Sequence, residues 1–213
     1  MKNELSVFLY WPNIVGYLRV ALLLYGLGMS WSSPLIAAVC FIVNLILDAV
    51  DGFLARFLNQ VSVFGSILDY TIDRISFASY AVLLGTIYPQ YMFLFILSLN
   101  LDLASHFFHL KASEGRASHK DVSKSESLLL RLYYKKFILG LSCLMHDLFF
   151  IFLFLYFFYP SFALQMGLFI TVFGVLFKTV VHAAQIIRAS RYLLDSPKKS
   201  LDLKAAEVPS DQC

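Results

Sequence analysis

Apolar residues dominate six blocks of the sequence, and each block has roughly the length that a helix needs to cross a bilayer. A spanning helix takes about 20 mostly apolar residues, and Pro34, Pro89 and Pro160 mark connections between blocks. We therefore predict an all-α integral membrane protein with six transmembrane helices, at about residues 12–30, 34–56, 65–86, 89–110, 137–159 and 162–187.

The two ends of the chain do not follow this pattern. The segment ELSVFLYWP is short and contains Tyr10 and Trp11, which suits a helix that lies at the membrane interface. The last residues, DSPKKSLDLKAAEVPSDQC, are polar and typical of a solvated tail. We predict one membrane domain over residues 1–190 and a partly disordered cytoplasmic tail over residues 191–213.

Composition and charge support a membrane location. The 213 residues are 59% hydrophobic and 15% charged, whereas a soluble domain has about 25% charged residues. Most Lys and Arg residues lie in the two terminal segments, at Arg56 and in the connection 111–136. The positive-inside rule therefore places both termini and these connections in the cytoplasm. We expect membrane lipids around the helices, and nothing in the pattern suggests a nucleic-acid partner.

Four carboxylates interrupt the second and third apolar blocks: Asp48, Asp51, Asp69 and Asp73. A charge at the centre of a membrane helix costs about 2.5–3.5 kcal/mol, so such residues normally face a cavity and have a partner. Helical spacing puts the first two on one face of the second helix and the last two on one face of the third. The short turn between these helices makes them antiparallel neighbours, so the two acidic faces can converge.

Several interpretations of this cluster are open. Converging carboxylates repel each other unless a cation neutralises them, and oxygen ligands favour Mg²⁺ or Mn²⁺. Acid clusters that hold two such ions are a recurrent device for phosphoryl transfer. Alternatively, the acids form structural salt bridges with Arg19 and Arg74, or they form the ion path of a divalent-cation transporter.

The segment from Asp48 to Asp73 has the form D-x2-D-G-x2-A-R-x8-G-x3-D-x3-D. This pattern resembles the signature of the CDP-alcohol phosphotransferase family at every fixed position. The resemblance implies six transmembrane helices and a cytoplasmic active site. It also implies transfer of a phosphoryl-linked group from a CDP-alcohol to a hydroxyl acceptor, with release of CMP. A homodimer in the endoplasmic reticulum membrane is expected on the same basis.

The resemblance also implies roles for individual residues. Two divalent ions, Mg²⁺ or Mn²⁺, would be held by Asp48, Asp51, Asp69 and Asp73, and Asp73 would also act as the catalytic base. The residues expected to bind the CDP-lipid are Asn13, Gly52, Ala55, Arg56 and Gly65.

Within the family, the chain is most similar to members that use an inositol acceptor, in the segments PNIVGYLR, SLNLDLASHFFHL and RLYY. This similarity implies CDP-diacylglycerol and myo-inositol as substrates. A polyol needs several hydrogen-bonding groups, and Asp102, His106 and Lys178 are the predicted acceptor-binding residues. Glycerol 3-phosphate, serine and ethanolamine are alternative acceptors, and an inactive scaffold is a further alternative.

Overall fold

The computed structural model describes residues 4–114 and 128–206, and every regular element within these ranges is a helix. This confirms the all-α prediction, including a short helix at the N-terminal end. The helices are α1 (Glu4–Phe8), α2 (Trp11–Met29), α3 (Pro34–Phe57), α4 (Val63–Ile87), α5 (Met92–Glu114, preceded by a 3-10 turn at Pro89–Tyr91), α6 (Leu128–Tyr133), α7 (Lys136–Phe158) and α8 (Phe162–Ala206).

Long apolar helices make up most of the described chain. Five segments are long and apolar enough to cross a membrane: Trp11–Met29, Pro34–Phe57, Pro89–Ala112, Phe137–Phe158 and Phe162–Leu194. Helix α4 coincides with the predicted third span, but Asp69, Asp73 and Arg74 lower its apolar content. The predicted count of six spans therefore stays a prediction, whereas the multi-pass membrane class is shown.

The last helix is longer than the apolar pattern indicates. We predicted a span that ends near residue 187 and a partly disordered tail from residue 191. Helix α8 instead continues to Ala206, because residues such as Leu193, Leu194 and Lys199 are compatible with a helix without being apolar enough to signal a span. Residues 207–213 of the predicted tail lie outside the described residues, and the domain boundary stays a prediction.

The larger apolar core packs between α2, α3, α4, α5 and α7. It contains Phe41 of α3, Leu84 of α4 and Phe154 of α7, all nearly inaccessible to solvent. The ring of Phe41 lies 5.6 Å from the ring of Phe154 and 5.0 Å from that of Tyr80. Helix α2 approaches closely at Gly26, where a Cβ atom would lie 2.7 Å from the Phe41 ring. A second, smaller apolar cluster contains Leu130 of α6, Tyr133 of α6 and Val181 of α8.

The turn between α3 and α4 fixes the position of the two acidic helices. Asn59 adopts a left-handed backbone conformation with φ 52°, and Ser62 Oγ caps α4 by accepting from Gly65 N at 2.9 Å. Gln60 Oε1 accepts from Trp11 N at 2.9 Å. This last bond connects the turn to the start of α2, so three helices meet next to the carboxylates.

Candidate active site

The four aspartates that interrupt the apolar pattern converge on one guanidinium. Arg19 Nη2 lies 2.6 Å from Asp48 Oδ1 and 2.6 Å from Asp73 Oδ1. Arg19 Nη1 lies 2.7 Å from Asp51 Oδ2 and 2.9 Å from Asp69 Oδ1. The predicted convergence of the acidic faces of α3 and α4 is therefore confirmed.

Arg19 itself is buried and fixed on its other side. Its side chain is 2% exposed, and its Nε lies 3.4 Å from Asn44 Oδ1. Asn44 Nδ2 donates in turn to the Arg19 carbonyl at 3.1 Å. A buried charge needs charged or hydrogen-bonding partners, so Arg19 determines where the carboxylates stand. The alternative interpretation, salt bridges between the acids and Arg19, is therefore present in this structure, although contact of one guanidinium with all four acids was not specified.

The donor set at this cluster fits a divalent cation. Asp48, Asp51 and Asp69 each offer one carboxylate oxygen, and these oxygens lie within 4.8 Å of one another. Oxygen donors at this spacing suit hard ions such as Mg²⁺ or Mn²⁺. Asp73 is not in this set of three, although it shares Arg19 with them. Four carboxylates against one guanidinium leave an excess of negative charge, which a cation would offset.

A first cavity opens on the side of the cluster that faces the start of α2 and the α3–α4 turn. Asp51 and Asp69 form its acidic wall, and the other lining residues include every residue predicted to bind the CDP-lipid. These residues are Asn13, Gly52, Ala55, Arg56 and Gly65.

The two glycines in this first cavity differ in what surrounds them. A Cβ atom at Gly65 would lie 2.8 Å from Asn13 Oδ1 and 3.0 Å from Ser62 Oγ, so the protein itself excludes a side chain there. A Cβ atom at Gly52 would meet Arg56 Nη1 at an ordinary 3.6 Å. The lack of a side chain at Gly52 is therefore not needed for packing, and it leaves the cavity open next to the backbone of α3.

A second cavity lies on the opposite side of the cluster. Asp48 and Asp73 line it, so the carboxylates separate the two cavities and contribute to the wall of each. The remaining polar lining comes from α2, α3, α4, α5, α7 and α8: Arg19, Asn44, Arg74, Ser76, Tyr80, Asp102, Cys143, Asp147 and Lys178. Of the three predicted acceptor-binding residues, Asp102 and Lys178 line this cavity.

His106, the third predicted acceptor-binding residue, is not among the described residues that line the second cavity. Its two ring nitrogens lie 2.9 and 3.0 Å from Arg74 Nη1. Its Nδ1 also lies 2.8 Å from the Asp102 carbonyl oxygen. The tautomer with Nδ1–H donating to that carbonyl leaves Nε2 to accept from Arg74. His106 therefore supports Arg74 in this structure.

Arg74 is a site residue whose contacts the sequence did not specify. Its Nη1 donates to Asp102 Oδ1 at 2.6 Å and Oδ2 at 2.7 Å. Its Nη2 lies 4.0 Å from Asp73 Oδ2, and its guanidinium lies 5.8 Å from the centre of the Tyr70 ring. The position of Arg74 directly after the last aspartate of the motif indicated that it lies near the site. The sequence did not indicate that its partner would be Asp102 on α5.

Asp102, His106 and His182 bring three potential metal-ligand atoms within 4.8 Å of one another. His182 Nε2 lies 3.5 Å from Asp102 Oδ1 and has no hydrogen bond to any described residue. However, Arg74 Nη1 already contacts both Asp102 and His106 at hydrogen-bonding distance. In this structure the group is part of an ion-pair network with Arg74.

Comparisons with known proteins match most of the chain. The model for the CDP-alcohol phosphatidyltransferase family matches residues 9–187. The chain is 36% identical over 199 residues to the CDP-diacylglycerol–inositol 3-phosphatidyltransferase of Candida albicans, covering 90% of this chain and 86% of that protein. It is 36% identical over 202 residues to the Saccharomyces cerevisiae protein of the same name, covering 93% and 92%. The Mus musculus protein of that name is 36% identical over 197 residues, covering 88% and 92%. No solved structure matches the chain.

Proposed function

Because the chain belongs to the CDP-alcohol phosphatidyltransferase family, we propose that it transfers the phosphatidyl group of CDP-diacylglycerol to myo-inositol and releases CMP. The relatives named above carry this activity in their names. The observation that carries the proposal is the carboxylate cluster between two cavities. This arrangement allows two different substrates to meet at one set of acids.

The first cavity suits the CDP-lipid. Its open backbone at Gly52 allows close approach of a flat or phosphorylated group, and the exposed guanidinium of Arg56 is a bidentate partner for phosphate. Asn13 Nδ2 donates to the Val7 carbonyl at 2.6 Å, which fixes one wall of the cavity against α1. The lipid tails would remain among the exposed apolar side chains of the helices.

Divalent metal is the cofactor that this proposal requires. Asp48, Asp51, Asp69 and Asp73 would hold two ions, Mg²⁺ or Mn²⁺, which neutralise the diphosphate and stabilise the charge that develops on transfer. Arg19 remains part of this arrangement because it sets the spacing of the same carboxylates.

The second cavity suits the alcohol acceptor. Asp73 lines it and is 34% exposed, so its carboxylate is accessible to a hydroxyl group and takes the proton from it as general base. Lys178 lines the same cavity and can donate hydrogen bonds to further hydroxyls. Asp102 and His106 complete the acceptor site by holding Arg74 in place.

The same proposal leads to expectations about the membrane orientation, cellular location and oligomeric state of the protein. An active site toward the cytoplasmic side lets inositol and CMP exchange with water while the lipid stays in the bilayer. The endoplasmic reticulum membrane, cytoplasmic termini and a homodimer are the corresponding expectations.

The direct test is CMP release from CDP-diacylglycerol by the purified protein in detergent, with Mg²⁺ or Mn²⁺. Inositol, serine, glycerol 3-phosphate and ethanolamine are compared as acceptors at equal concentration. Release that depends on both metal and inositol is the expected result. CMP release with another acceptor but not with inositol would contradict the proposed acceptor and leave the family assignment intact. A protein that binds metal but releases no CMP with any acceptor would contradict the proposed transferase activity.

A further inference from the structure

The charges that line the second cavity beyond the acidic cluster come in opposite pairs. Two cations, Arg74 and Lys178, contribute to its wall together with two carboxylates, Asp102 and Asp147. The first pair is in direct contact, since Arg74 Nη1 donates to both oxygens of Asp102 at 2.6 and 2.7 Å. This part of the cavity therefore carries no excess positive charge.

Asp102 has little capacity left for a substrate. It is 1% exposed, and both of its oxygens accept from Arg74. His182 Nε2 lies a further 3.5 Å from Oδ1 on the side of α8. Any influence of Asp102 on the acceptor must therefore act through Arg74, whose side chain is 15% exposed. Asp102 is by this geometry a positioning residue.

The charge of an acceptor decides whether such a cavity can hold it. A phosphate monoester carries a charge of about −1.5 to −2 near neutral pH, and its recognition needs cationic donors that are not already neutralised. In the second cavity, Arg74 is neutralised by Asp102. Lys178 shares the cavity wall with a further carboxylate, Asp147. An uncharged polyol exchanges hydrogen bonds with the same groups without adding charge.

We propose that Asp102 sets the acceptor selectivity of this protein, by neutralising Arg74 so that the second cavity accepts an uncharged polyol and rejects its phosphorylated form. The inference rests on the proposed transfer to an alcohol acceptor. It explains the preference for an uncharged alcohol by one ion pair, between Arg74 of α4 and Asp102 of α5.

The test compares myo-inositol with inositol monophosphate, two acceptors that differ by one phosphate. The ratio of their kcat/KM values is measured by CMP release, and because both values come from one preparation, the fraction of active protein cancels. Wild type is expected to prefer the uncharged acceptor by about 100-fold or more. Asp102→Asn, which keeps the shape and removes the charge, is expected to move the ratio toward the phosphorylated acceptor by about tenfold or more.

Asp102→Glu is the matched control, because it restores the carboxylate and is expected to keep the preference of wild type. Asp147→Asn is a second variant at a more accessible position, with a side chain that is 32% exposed. The Oδ1 atom of Asp147 lies 2.9 Å from His146 Nδ1. The substitution removes one negative charge from the cavity wall that Lys178 also lines, and is expected to shift the ratio in the same direction. If Asp102→Asn does not fold, Arg74→Gln breaks the same ion pair from its other side. It leaves the Asp102 charge unpaired and is expected to move the ratio further toward the uncharged acceptor.

A ratio that stays at the wild-type value in Asp102→Asn, with both acceptors impaired equally, would mean that the ion pair is structural only. If Asp102→Asn does not fold, an unchanged ratio in Arg74→Gln overturns the proposal. A wild-type protein that uses both forms of inositol equally well also overturns it, while the proposed function stands. A wild-type protein that uses neither form, but releases CMP with another alcohol, contradicts the proposed acceptor itself.

Discussion

At the scale of single residues, the main feature of the site is a set of charged side chains inside an apolar protein. Asp51 is 6% exposed and Arg19 is 2% exposed, so neither charge is solvated by water. Each is stable because the other lies 2.7 Å away. The remaining carboxylates of the cluster are more accessible, at 41%, 47% and 34% for Asp48, Asp69 and Asp73. Arg19 thus anchors the buried end of a cluster whose outer end is open to ligands.

Arg19→Gln should lower the free energy of unfolding by about 3–5 kcal/mol, because it leaves the buried carboxylate of Asp51 without its cation. Denaturant unfolding in detergent measures the change. Adding Mg²⁺ should recover more stability in this variant than in wild type, since a divalent ion can replace the lost positive charge. Arg56→Gln, at an exposed basic residue, is the control and should stay within about 0.5 kcal/mol of wild type. Equal stability of Arg19→Gln and wild type would contradict the role given to Arg19.

The two glycines of the first cavity should respond differently to alanine. Gly65→Ala places Cβ 2.8 Å from Asn13 Oδ1 and should destabilise the fold by about 1–3 kcal/mol. Gly52→Ala meets only a contact of 3.6 Å and should keep or slightly raise stability, since alanine favours helix more than glycine by about 1 kcal/mol. It should instead raise the KM for CDP-diacylglycerol. The account of this cavity would be wrong if Gly52→Ala left that KM unchanged.

At the scale of elements, the turn between α3 and α4 brings the two acidic helices together. It depends on Asn59 at φ 52°, on the Ser62 cap and on the bond from Trp11 N to Gln60 Oε1. The sequence predicted a short turn between these two helices, and it predicted the helices on either side from their apolar length. It did not predict the bond to α2, because such contacts between distant segments leave no periodic signal.

Asn59→Val should destabilise the protein by about 1–2 kcal/mol, because a β-branched residue is strained in the left-handed region. Asn59→Gly should be close to neutral there, since glycine adopts positive φ without steric cost. Thermal unfolding of the two variants in the same detergent gives the comparison. If both lost the same stability, the effect would come from the Asn side chain and not from the backbone conformation.

The second cavity was harder to predict from the sequence than the first. The motif from Asp48 to Asp73 located one half of the site because its residues lie on two adjacent helices with fixed spacing. The other half is formed by α5, α7 and α8, which come together only through packing. Asp102 and Lys178 were predicted as site residues from being polar in apolar blocks, and both line the second cavity. The pairing of Arg74 with Asp102 needed the fold.

At the scale of the whole molecule, the larger apolar core adjoins the polar site, since Phe77, Tyr80 and Ile151 belong to that core and also line the second cavity. The carboxylates with their two cavities make up the polar site. The family match from residue 9 to residue 187 covers both the core and the site. In the proposed function, the packed core supports a polar site that would stay open to a lipid from one side and to a soluble alcohol from the other.

The central claim is that the carboxylates join a CDP-lipid cavity to an acceptor cavity, with Asp73 as the base. The most direct measurement is inositol-dependent CMP release by wild type and Asp73→Asn, together with CDP-diacylglycerol binding by the same two preparations. We predict that Asp73→Asn still binds the CDP-lipid within about tenfold of wild type, while CMP release falls by about 100-fold or more. An Asp73→Asn variant that releases CMP at the wild-type rate would contradict the claim.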